Sequence, residues 1–220
     1  MIADHDWAAF SAVTMMVNHW DRPGRSSGRR RLYWFITAEQ APDVHSLAER
    51  CQRQLARPEL DHTAADGLHI TISRVSAASE DMLATVAAAA RARCAELDPF
   101  VLQVLPLAGS RGAVRFSLAP WGPLLQLHSA LTDVGTAAGV ATAKPTSGFR
   151  PHLGIAYCNR PVPAEPIQRA ITDLRRLEPA ELPVSGVKLV ELRRENHRYR
   201  WTTLEEIRLG GVSDGARDKR

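Results

Sequence analysis

Residues 67–73 read GLHITIS. Ile70 and Ile72 alternate with His69, Thr71 and Ser73, the period-two pattern of a strand with one apolar and one polar face. The polar face carries an imidazole and two hydroxyls, so it meets either open solvent or a cleft. A second strand, HLGIAY (152–157), also opens on a histidine, His152.

The elements around these strands repeat. LYWFIT (32–37) reads as a strand. Residues 42–56 read as a helix with Pro42 in its first turn and Val44, Leu47, Ala48, Cys51 and Leu55 on one stripe. After the His69 strand, Ser79 caps a helix whose apolar face is Leu83, Val86, Ala87, Ala90, Cys94 and Leu97. Strands 100–107 and 113–119 follow across the turn GSRG. The second half runs in the same order: a helix over 123–138, the His152 strand, a helix beginning near Pro166, and strands 182–192 and 199–209 across RENH. His69 and His152 lie 83 residues apart, and the strands that follow them are offset by 82 and 86. Element order and spacing repeat while residue identity does not, which marks an architectural repeat.

The expected fold is therefore α+β. Two pseudo-symmetric lobes, each an antiparallel sheet with helices on its outer side, flank a central cleft. The expected boundaries are 1–31 for an N-terminal helix (6–19) and basic loop, 32–209 for the bilobal domain, and 210–220 for a disordered tail. Within the domain, lobe 1 spans about 32–120 and lobe 2 about 121–209.

The chain has 220 residues, 45% of them apolar, enough for a sizeable core. No stretch approaches the 18 or so apolar residues of a membrane span, and acids stand where a signal peptide carries basic residues. The expectation is a soluble, cytoplasmic monomer with no membrane partner. Three cysteines without a C-x-x-C pair point to buried thiols rather than a disulfide framework or zinc site. The remaining histidines lack ligand spacing such as H-E-x-x-H, so neither a metal nor another cofactor is expected. The net charge of +4 favours an anionic partner only weakly. Arg22, Arg25, Arg29, Arg30 and Arg31 form either a solvated linker or a phosphate-attracting patch.

Two imidazoles on opposite sides of one reacting centre suit phosphodiester cleavage. At neutral pH one can be protonated and the other not, so one takes a proton from the attacking water and the other gives one to the leaving oxygen. Thr71, two along from His69, points the same way and can hydrogen-bond a non-bridging phosphate oxygen. A lone strand histidine is ordinarily structural; the repeat is what marks His69 and His152 as a pair. Tyr33 and Phe35 share a face of the first strand and are candidates for stacking on a base, with core packing the alternative.

LHITIS and PHLGIAY resemble the paired H-x-T/S signatures of the 2H phosphoesterase superfamily, and within it the 2′–5′ RNA ligase/2′,3′-cyclic phosphodiesterase family. NHW-x-RPG (18–24) and F-x-PH-x-x-x-AYCN (149–159) are similar to a bacterial RNA-ligase-like branch. The likeness runs from residue 18 to about 209. It implies His69 and His152 as the catalytic pair, Thr71 as a phosphate-binding hydroxyl, and metal-independent hydrolysis of a cyclic phosphate or 2′–5′ linkage on an RNA terminus or small nucleotide. Release of the 3′-oxygen, leaving a 2′-phosphate, is the implied outcome. The family's second Thr or Ser is here Gly154, and its role passes to the Gly154 backbone, water, Arg150 or Tyr157. Two alternatives stay open: a non-catalytic RNA- or nucleotide-binding protein, and a phosphodiesterase of nucleotide signalling or specialised metabolism.

Overall fold

The computed structural model describes residues 2–21, 31–76, 79–140 and 145–211. The arginines at 22, 25, 29 and 30 and the tail from 212 onward lie outside the described residues. In chain order the strands are β1 (Met15–Met16), β2 (Arg31–Thr37), β3 (Leu60–His62), β4 (His69–Val75), β5 (Phe100–Ser110), β6 (Ala113–Ala119), β7 (Leu153–Cys158), β8 (Val162–Pro163), β9 (Ala180–Val184), β10 (Gly186–Glu195) and β11 (Arg198–Arg208). The helices are α1 (Ile2–Ser11), α2 (Pro42–Gln54), α3 (Glu80–Cys94), α4 (Trp121–Ala137) and α5 (Glu165–Thr172).

Nine strands form one sheet in the order β11-β10-β2-β4-β7-β6-β5-β9, with β3 added beside β7. Two antiparallel half-sheets meet where Ile70 of β4 faces Leu153 of β7. Beyond that point the neighbour of β7 becomes β3, with Asp61 opposite Tyr157. The lobes expected at 32–120 and 121–209 are not contiguous in sequence. β10 and β11, from the end of the chain, complete the half-sheet of β2 and β4, while β5 and β6 join β7 and β9.

The exchange occurs at Ser185. What reads as one strand over 182–192 is two, β9 pairing with β5 and β10 with β2. At the crossing a Cβ on Gly186 would stand 2.7 Å from the Ile207 carbonyl oxygen of β11, so only glycine allows this approach.

The outer helices form where amphipathicity predicts. α2 buries Val44, Leu47, Ala48 and Cys51, and Ser79 Oγ caps α3 by accepting the Met82 N–H at 3.3 Å. Burial pushes the Cys51 thiol up to about 12 and the Cys94 thiol up to about 11, as expected of inert core cysteines. The N-terminus departs from expectation. Helix 6–19 is replaced by α1, followed by an extended run that pairs with β8 and donates Val17 N–H to the Arg111 carbonyl and His19 N–H to that of Cys158. Tertiary hydrogen bonds outweigh the local helical preference there.

Gly186→Val should destabilise the protein by about 1–3 kcal/mol in a denaturant titration, because β10 and β11 must separate to admit the side chain. An unchanged midpoint would mean that β11 gives way freely.

Candidate active site

The two histidines flank the seam. Extending the Ile70–Leu153 register by one residue each way sets His69 across from Gly154 and Thr71 across from His152. All four positions share the cleft face. His69 Nδ1–H donates to the Gly67 carbonyl at 2.8 Å, and His152 Nδ1–H donates to the Arg150 carbonyl at 2.9 Å. In each case the acceptor lies two residues back, and each ring keeps its Nε2 for the cleft.

Each of these strands carries a bulge three residues past its histidine. On β4, Phe35 faces Thr71 and Trp34 faces Ser73, leaving Ile72 unopposed. On β7, Arg115 faces Gly154 and Val114 faces Ala156, leaving Ile155 unopposed. The Ile155 carbonyl is satisfied by Gln52 Nε2 of α2 at 2.9 Å and by the Thr63 N–H. A bulge shifts side-chain parity by one. Ser73, expected beside Thr71, therefore turns into the core opposite the buried Trp34. By the same shift Tyr157 comes round onto the face of Gly154.

That shift bears on the absent hydroxyl. A Cβ on Gly154 would stand 2.7 Å from Tyr157 Oη. The phenol of Tyr157 thus occupies the space that a side chain at position 154 would take. Its ring stacks on His19, centroids 4.2 Å apart. His19 Nε2 and Arg194 in turn hydrogen-bond Tyr199 Oη at 2.6 and 2.8 Å. His19 and Tyr199 were not legible as site residues. The single hint was the NHW segment, whose role depends on pairing with Cys158 in the fold.

Phe35 is fully buried, stacked on His69 at 4.2 Å with Trp201 against its edge. A ring without a free face cannot stack a base, and the expectation for Phe35 is corrected accordingly. Tyr33 keeps partial exposure on the cleft face, opposite Arg74. Arg150 touches the site through its carbonyl. Its guanidinium bonds the Ser147 and Phe149 carbonyls and lies over Trp121 at 5.7 Å.

Phe35, Tyr199 and Trp201 box in His69, which is 8% exposed, and the lost hydration drives its imidazole down to about 4. His152 is also held below the usual range, first by the protein packed about it and then by the Arg115 guanidinium. Its ring stays open to the cleft.

The model of the 2′–5′ RNA ligase superfamily matches residues 40–196. The chain belongs to that superfamily. No curated protein sequence matches it. Among solved structures it is similar to TT0787 of Thermus thermophilus, at 20% identity and a TM-score of 0.62 over 83% of this chain and 99% of that one. It is similar also to Escherichia coli LigT complexed with 3′-AMP (20% identity, TM-score 0.59, 82% and 98% covered) and with ATP (19%, 0.55, 82% and 98%). These likenesses establish the two-lobed fold. Among the described residues no helix is long and apolar enough to cross a membrane.

Two expectations follow. The folded state holds His69 neutral while the unfolded chain protonates it near 6.5, so stability is full above about pH 6.5 and falls as pH drops toward 4. Urea unfolding at pH 7 and pH 4 should differ by about 3 kcal/mol from His69, a difference reduced in His69→Gln. Gly154→Ser should destabilise the wild-type background but be tolerated in Tyr157→Ala, with a coupling of about 1 kcal/mol or more. Additive effects would show that the Tyr157 phenol yields its place at no cost.

Proposed function

We propose that the protein is a metal-independent phosphoesterase that hydrolyses a 2′,3′-cyclic phosphate or 2′–5′ phosphodiester on an RNA end or small nucleotide, by two-histidine acid–base catalysis. One observation carries this reading: two imidazoles flank one seam, each with Nδ1 tied to a backbone carbonyl and Nε2 left for the cleft. Superfamily membership supports the phosphoester class.

Both rings are held below their usual range, so both are neutral at pH 7 in the free protein. A phosphate anion between them raises their proton affinity, and one becomes an imidazolium. On a cyclic phosphate the neutral histidine takes a proton from water as the new O–P bond forms. The P–O3′ bond breaks, and the imidazolium gives its proton to O3′, leaving a 2′-phosphate and a 3′-hydroxyl. One water is consumed and the two histidines exchange protonation states. Ligation is the same path with a 5′-hydroxyl in place of water: the O5′–P bond forms, the P–O3′ bond breaks, and a 2′–5′ linkage results.

Thr71 Oγ1 and Tyr157 Oη hold the non-bridging oxygens, Tyr157 serving where the second motif has glycine, and Tyr33 offers a ring to the base. The protein acts as a monomer in the cytoplasm, where three free, buried thiols are at home.

Chelator-treated protein should turn over 2′,3′-cyclic nucleotides or a 2′–5′ dinucleotide. His69→Ala and His152→Ala should each lose at least about 10²-fold in kcat while nucleotide affinity changes little. For the wild type, kcat/KM should rise as pH falls from 8 toward 5, because the free protein gains the singly protonated pair in that direction. Nucleotide binding with no turnover of any of these substrates would move the assignment to a non-catalytic binding protein.

A further inference from the structure

Arg115 projects from the centre of β6 onto the cleft face, directly opposite Gly154. Opposed residues in an antiparallel pair have Cβ positions about 4.5–5.5 Å apart, so the arginine rises beside the position that carries no side chain. It is close enough to His152 for its charge to act on that imidazole. Its Nε is buried and has no hydrogen-bond partner among the described residues.

The nearest compensating charge is Asp6, delivered to the same face of β6 by α1. Asp6 is 5% exposed, accepts a hydrogen bond from Ser117 Oγ at 2.6 Å, and lies 3.7 Å from His5 Nδ1. It acts on Arg115 electrostatically, yet burial still works against the guanidinium charge. Buried charges are ordinarily fully paired, and an arginine with unused donors in a cleft has the fork geometry that grips two oxygens of a phosphate.

We infer that Arg115 forms an oxyanion-binding site at the catalytic seam, its guanidinium gripping from β6 the non-bridging phosphate oxygens that Thr71 and Tyr157 contact from β4 and β7. The inference rests on the phosphoesterase reading for the identity of the anion. Asp6 then sets how strongly the guanidinium attracts it, and α1, which lies outside the matched family segment, becomes part of the site.

The test uses inorganic phosphate as probe, followed through histidine side-chain NMR in the full chain, with turnover measured in parallel. Arg115→Gln should weaken phosphate binding at least tenfold, Arg115→Lys should recover part of that loss, and Asp6→Asn should bind phosphate as tightly as the wild type or more so. Melting temperatures identify any variant that fails to fold, in which case Arg115→Lys and Asp6→Asn decide. Were Arg115 only the buried partner of Asp6, Asp6→Asn and Arg115→Lys would both lower the melting temperature and leave phosphate affinity unchanged. That result overturns the inference, as does a wild type that binds no phosphate. Arg115-dependent phosphate binding without phosphodiester turnover would uphold it while removing the catalytic reading.

Discussion

Everything at the cleft depends on one contact between two strands, Ile70 against Leu153. Both side chains are fully buried and belong to the core that the outer helices cover. Because side chains alternate along a strand, burying these two obliges the residues on either side to face the other way. Those residues are His69, Thr71, His152 and Gly154. The apolar contact that joins the half-sheets thus also aims the imidazoles, and the geometry of the candidate site follows from core packing rather than from any loop.

The environments of the two rings differ although their backbone settings match. His69 lies among aromatic rings and has lost most of its hydration, whereas His152 stands at the open cleft beside a guanidinium. The pseudo-symmetry of the scaffold therefore does not extend to the chemistry. β2 and β11 bring Phe35, Tyr199 and Trp201 to one half of the cleft, and β6 and α1 bring Arg115 and Asp6 to the other. The seam thus has an apolar wall on one flank and charge on the other.

Much of this was legible in the sequence. The strand positions of His69, Thr71 and the residues after His152, and the helix stripes, follow from local periodicity, which the fold respects. Strict alternation misplaces Ser73 and sets Tyr157 on the face opposite Gly154, because the bulges at Ile72 and Ile155 shift parity three residues past each histidine. In β4 the residues one, three, four and six after the histidine, Ile70, Ile72, Ser73 and Val75, are buried and trace the bulge, whereas β7 is buried along its whole length and carries no such trace. The exchange of strands at Ser185 left a weaker trace, a single Ser-Gly pair inside an apolar run. Arg115 and Asp6 left none, since β6 alternates normally and only tertiary pairing brings α1 to its face.

The interleaving of the half-sheets governs how the molecule can be made. The β2–β4 pair waits for β10 and β11, so that half-sheet is incomplete until residue 208 has been made, whereas β5, β6, β7 and β9 are all present by residue 184. A nascent chain that ends after β7 holds both histidines but exposes the edge of β2 that β10 will cover. Its closing contacts join Phe35 to Lys188 and Trp34 to Leu189, the long-range pairing that makes folding slow. The first half of the chain is therefore no independent lobe, and the wall of the cleft beside His69 is complete only once β11 has joined β10.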